Sequence, residues 1–139
     1  MSWQEMNHYE LAAMRQLLML SVTEAAEEIG QCSTRAWQHW ETGRNRIPED
    51  VEIEIYGLIG NRNRIIAEML DYKIDESIRL KYFKTHAAFH EQYKKDVINF
   101  RLYQSVAAYL FAEGGEIELD EAAKIDEESY LHLFFSSSL

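Results

Sequence analysis

A single cysteine, a single proline and six glycines are all that 139 residues carry of the types that staple, stop or hinge a chain. One cysteine cannot close an internal disulfide, so the core must hold the fold, and a reducing, cytoplasmic setting is expected. One proline leaves nearly every segment free to be helical. No apolar run approaches the roughly 20 residues that cross a bilayer. The opening residues, MSWQEMNHYE, are polar and acidic where a signal peptide is basic and then apolar. No membrane partner is expected. Cations are scarce as well: 14 Lys and Arg against 24 Asp and Glu leave a net charge of -10. Such a chain repels phosphate unless its cations are gathered in one place. A glycine-rich phosphate loop, a nucleophile motif and paired carboxylates in an apolar setting are all missing, so neither an enzyme nor a cofactor is expected.

What is present is material for a core. Hydrophobic residues make up 47% and aromatics 12% of the chain, too much for a disordered segment and enough for one compact domain or two small ones sharing a core. Helix signals dominate. Asn7 with Glu10, and Ser21 with Glu24, have capping-box spacing. Leu11, Met14 and Leu18 then share one face, and Ala25, Ala26 and Ile29 line a second, short helix that Gly30 ends. Ser33 caps a third helix, which carries Trp37 and Trp40 and stops at Gly43. VEIEIY (51–56) alternates like a strand, but Pro48, Glu49 and Asp50 mark a helix start, and Val51, Ile55, Leu58, Ile65 and Met69 fit one helical stripe. A helix over 48–71 is expected. Beyond it come a candidate strand at 77–83 and a short helix at 85–93 capped by Thr85. A helix at 97–113 bears Phe100, Tyr103, Ala107, Leu110 and Phe111 and stops at Gly114-Gly115. A terminal helix at 126–135 follows. The fold class expected is mostly α: an N-terminal helical bundle in 1–71, then a smaller helical region in 72–139 with one candidate strand.

Charge is not spread evenly. Residues 1–30 sum to -4, 47–60 to -4 and 101–139 to -6, while 31–46 reach +2 with three arginines and one acid. Two of the three tryptophans fall in that same stretch. Two short helices joined by a turn, the second polar at its start, describe a helix-turn-helix whose second helix enters the major groove. On that helix Trp37 and Trp40 share a face and are core anchors. Thr34, Arg35 and Gln38 occupy the opposite face, with side chains suited to a thymine methyl, guanine and adenine. His39, Arg44, Asn45 and Arg46 flank them at positions suited to phosphates. Cys32 is a turn residue.

The stretch LSVTEAAEEIGQCSTRAWQHWETGRNRIP (20–48) resembles the helix-turn-helix of the Cro/C1-type, lambda-repressor-like family. The resemblance rests on Ser21, Ala26, Ile29-Gly30 and Trp40-Glu41-x-Gly43 with a later proline, and it covers about residues 8–70. The turn is one residue longer than the family's usual spacing. In that family an arginine late in the first helix pairs with the Trp-Glu glutamate, which implies a structural pair between Arg15 and Glu41. With STRAWQHWETGR and FRLYQSVAAYLF, the whole chain is also similar to YdiL-like proteins and to anti-CRISPR-associated autorepressors. That likeness implies a homodimer binding an inverted repeat in double-stranded DNA, with repression the implied outcome and RNA a further partner.

Dimerisation is expected from the C-terminal region. The helix at 97–113 and the Leu131/Phe134/Phe135 patch are candidate contact surfaces, or else the patch docks on its own domain. Two other readings stand beside the regulator. One is a protein-interaction module whose acidic surface binds a partner. The other is RNA binding through the same arginines. His86 and His90 have metal-sharing spacing but lack an evident third ligand, and a plain helix surface is the simpler reading.

Overall fold

Six helices start at a side chain that accepts an N–H from their own first turn. In the computed structural model, which describes residues 5–72, 78–113 and 116–137, these caps are Asn7, Ser21, Ser33, Thr85, Asp96 and Ser129. Each satisfies a donor that the helix end would otherwise leave bare. At Asn7 and Ser21 the bond is returned, with Glu10 and Glu24 accepting the cap's own N–H at 2.8 and 3.0 Å. The resulting order is α1 (His8–Leu17), α2 (Val22–Ala25) running on into one π-helical turn (Ala26–Gly30), α3 (Thr34–Glu41), α4 (Glu49–Asp71), β1 (Ile78–Lys81), α5 (His86–Tyr93), α6 (Val97–Ala112), β2 (Ile117–Asp120) and α7 (Tyr130–Ser136). The architecture is mostly helical, with a two-stranded sheet where one strand was expected.

The ambiguous VEIEIY segment is helix. The Pro48 carbonyl accepts the Val51 and Glu52 N–H groups, and Glu49, Asp50 and Glu52 sit in the first turn, where the helix dipole favours acids. Val51, Ile55, Ile65 and Met69 are buried along one stripe. Gly57 and Gly60 face open space, so they lower helix propensity without disturbing packing.

Two compact units, residues 1–60 and 61–139, divide within α4; the boundary expected at 71 is where α4 ends. In the first unit Leu11, Leu18, Ala25, Ala26, Trp37, Ile47 and Ile55 form the core. The two alanines let α2 and α3 come close.

In the second unit α6 is the central element, with nine of its sixteen residues buried. Aromatic rings crowd around it, among them Phe83–Tyr103 at 5.1 Å, Phe89–Phe135 at 5.6 Å and Phe89–Phe100 at 5.7 Å. Tilted and edge-on rings at these distances gain beyond their buried area. β1 and β2 pair in parallel, Ile78 opposite Ile117 and Leu80 opposite Leu119, with α5 and α6 supplying the crossover that a parallel pair needs. The Tyr103 hydroxyl donates to the Lys81 carbonyl at 2.6 Å, and the Gln104 amide donates to the Phe83 carbonyl at 3.1 Å.

Of the two expectations for the Leu131/Phe134/Phe135 patch, this core fits docking on its own domain. The helix placed at 97–113 is the centre of the second unit, and Leu131 and Phe135 are 2% and 0% exposed beside it. Apolar side chains so enclosed are not free to meet a second copy; Phe134 alone of that patch is half-buried. Phe111, assigned to the apolar face, is 56% exposed, because α6 outruns its cover and its last residues stand in solvent. The stop expected at Gly114-Gly115 lies outside the described residues. The terminal helix starts at Tyr130 rather than 126, since Asp126 builds a turn on the Glu128 N–H and Ser129 takes the cap.

Candidate nucleic-acid interface

Two tryptophans hold α3 from behind. Trp37 is fully buried, Trp40 is half-buried, and their rings meet edge-on at 5.4 Å. They need the empty space at Gly30. A Cβ there would lie 2.7 Å from Cys32 Sγ and 3.1 Å from a ring atom of each tryptophan. Gly30 ends the helical run as expected, though not in a left-handed conformation. It closes the π turn, and the left-handed residue is Gln31, at φ 50° and ψ 48°. The N–H groups of Gln31 and Cys32 both reach the Ala26 carbonyl, the second at 3.0 Å. A π turn holds one more residue than an α turn, and so accommodates the longer connection. Burial pushes the Cys32 thiol up, against a hydrogen bond with the Trp37 backbone that lowers it.

Glu41 fastens the far end of α3. Its Oε2 accepts Arg15 Nε at 2.6 Å and Trp37 Nε1 at 2.5 Å, and its Oε1 accepts Arg15 Nη2 at 3.1 Å. Arg15 Nη1 donates to the Leu20 carbonyl at 2.9 Å. Both charged side chains are nearly buried, 13% and 12% exposed, so this forked pair is better shielded from water than a surface ion pair. It ties α1 to α3 and also satisfies the buried indole N–H.

With its rear face committed, α3 turns the other face outward. Thr34, Arg35 and Gln38 are all exposed, and Gln38, four positions from Thr34 and three from Arg35, joins them on one side. Among the described residues their side chains have no hydrogen-bond or ion-pair partner. His39 is half-buried, and its carbonyl accepts the Asn45 N–H at 3.1 Å, which folds the following loop back. Gly43 turns that loop at φ +81°, packed against the His8 ring. Arg44 and Asn45 are exposed on it. Arg46 differs from its neighbours: it is ion-paired with Glu5 and shares an open groove with Glu49 and Glu52. Glu5, an acid facing the cationic loop, was not anticipated. Neither was Glu52, which is 4% exposed and accepts the Met6 N–H. An acid in an alternating run reads as solvent-facing, and nothing in the sequence marks it as buried.

The remaining candidates lie in the second unit. His86 and His90 sit with ring centroids 5.9 Å apart, but His86 Nε2 is engaged with the Lys95 carbonyl at 3.0 Å. Among the described residues no three or more His, Cys, Asp or Glu converge as metal ligands, and no helix is long and apolar enough to cross a membrane. In chemical terms the α3 face is a rigid, outward platform of mixed donors and acceptors.

Comparison with known proteins fits this frame. The chain matches the model of the Aca2/YdiL-like family over residues 6–119. It is 42% identical over 112 residues to the Aca2 repressor of Pectobacterium phage ZF40, covering 78% of this chain and 96% of that protein. It is 31% identical over 112 residues to the YdiL protein of Escherichia coli (strain K12), covering 77% of this chain and 94% of that one. The chain belongs to the Aca2/YdiL-like family.

Proposed function

We propose that this protein is a sequence-specific DNA-binding transcriptional regulator of the Cro/C1 helix-turn-helix kind. It acts in the cytoplasm as a homodimeric repressor on an inverted repeat. The observation that carries the reading is the division of α3: Trp37 is buried behind, while Thr34, Arg35 and Gln38 stand exposed and unpaired in front. The relative named a repressor supports the same reading. In this account α3 lies in the major groove, where Arg35 donates to guanine, Gln38 bonds adenine and Thr34 offers its methyl to thymine. His39, Arg44 and Asn45 hold phosphates, and Arg46 joins them when it releases Glu5. Arg15, Glu41, Trp37 and Trp40 keep the helix in place and do not touch the duplex. One copy reads one half-site, and two copies about 34 Å apart read the inverted repeat.

Selection of duplexes from a random pool tests this. Enrichment of an inverted repeat that outcompetes structured RNA of equal length is the expected result. Preference for the RNA would move the arginines to an RNA-binding role, and the absence of any enriched nucleic acid would favour a protein-interaction module.

A further inference from the structure

Gln31 occupies an uncomfortable position. Its backbone is left-handed, a conformation that glycine adopts freely and other residues adopt at a cost. The chain does hold a glycine beside it, but Gly30 is reserved by the tryptophan rings and Cys32, which leave no room for a Cβ. The left-handed site is thus filled by a residue with a long amide side chain. That conformation alone marks nothing, since Met19 and Lys94 adopt it after α1 and α5. Position distinguishes Gln31. It is exposed, its carboxamide has no hydrogen-bond partner among the described residues, and it lies two residues before the α3 cap Ser33. The exposed base-reading candidates Thr34 and Arg35 follow immediately. The bonds from the Gln31 and Cys32 N–H groups to the Ala26 carbonyl fix its backbone, so the side chain projects from a rigid turn.

We infer that Gln31 is a further specificity-determining residue, whose carboxamide reads a base edge beside those read by α3. This rests on the DNA-binding reading above. An amide is suited to it, because it presents a donor and an acceptor side by side, as adenine does in the major groove. Glycine there would relieve the backbone but remove the amide.

The full-length protein, Gln31→Gly and Gln31→Ala test this on the duplex the wild type selects. Affinity, base preference at each position and thermal midpoint are measured together. Gln31→Gly is expected to raise the midpoint yet weaken binding about fivefold or more, flattening preference at one position of each half-site. Gln31→Ala is expected to weaken binding in the same way without raising the midpoint. A Gln31→Gly protein with undiminished affinity and base preference would overturn the inference. So would weakening that is uniform across all sequences, which would mean a phosphate contact. A wild type that selects no duplex would instead remove the DNA-binding reading itself, and this inference with it.

Discussion

Arg35 and Arg46 belong to the same short cationic segment, but their electrostatic situations differ. Arg35 projects alone from α3, while Arg46 is already paired with Glu5 beside further carboxylates. A phosphate reaching Arg46 must displace Glu5, and an exposed pair of this kind is worth only about 0–1 kcal/mol. Arg35→Ala is therefore expected to weaken binding to the selected duplex by about 1–3 kcal/mol, and Arg46→Ala by less than about 1 kcal/mol. Equal losses in a titration of the two variants would contradict this ranking. Stability depends on other residues. Trp37→Ala removes a fully buried ring and should cost about 3–5 kcal/mol, with Trp40→Ala costing less because that ring is half-buried. Gly30→Ala forces a methyl against Cys32 and both rings, at about 1–3 kcal/mol. Denaturant melts of the three variants check the order, and a Gly30→Ala protein as stable as its parent would show that the cluster can yield.

At the scale of elements, legibility tracked how local the cause is. Caps, apolar stripes and the start of α4 are written within a few residues, and those helices appear where Asn7, Ser21, Ser33, Pro48 and Thr85 place them. Long-range causes were hidden. β2 has only Ile117 and Leu119 to mark it, and its partner lies nearly forty residues away. The left-handed place falls to Gln31, while Gly30 is held by tertiary crowding that no local pattern shows. The outward side of α3 was readable from the spacing of its tryptophans, whereas the neutralisation of Arg46 by Glu5, 41 residues apart, was not. The second unit's core makes its own prediction. Burial pushes the Tyr93 hydroxyl up to about 12, and Tyr103 is raised further still, by burial and by Tyr93 beside it. A raised hydroxyl is neutral in the fold, so its contribution is whole below pH about 10, where the unfolded tyrosine also stays protonated. It is lost as pH climbs through about 12, at up to about 1.4 kcal/mol per pH unit per tyrosine. Alkaline titration should therefore show two tyrosines ionising together with the loss of helix. Ionisation of all eight near pH 10 with the helix intact would contradict that core.

Over the whole molecule, an acidic chain carries a short cationic segment, 31–46, between two acidic ones. The surrounding charge opposes non-specific binding, and the segment supplies the few contacts that a correct site requires. One unit presents α3, and the other is a closed aromatic core whose α6 and α7 are already occupied. Cooperation of two copies is thus proposed from the demands of an inverted repeat. The central claim is that this small cationic face binds duplex DNA as a pair. The most direct test is a titration of the selected duplex across salt concentrations, with the number of bound chains counted. Two chains per duplex and a log–log slope near -5 to -7, from roughly 6 to 8 neutralised phosphates, are predicted. A slope near zero, or no binding even at low salt, would contradict it.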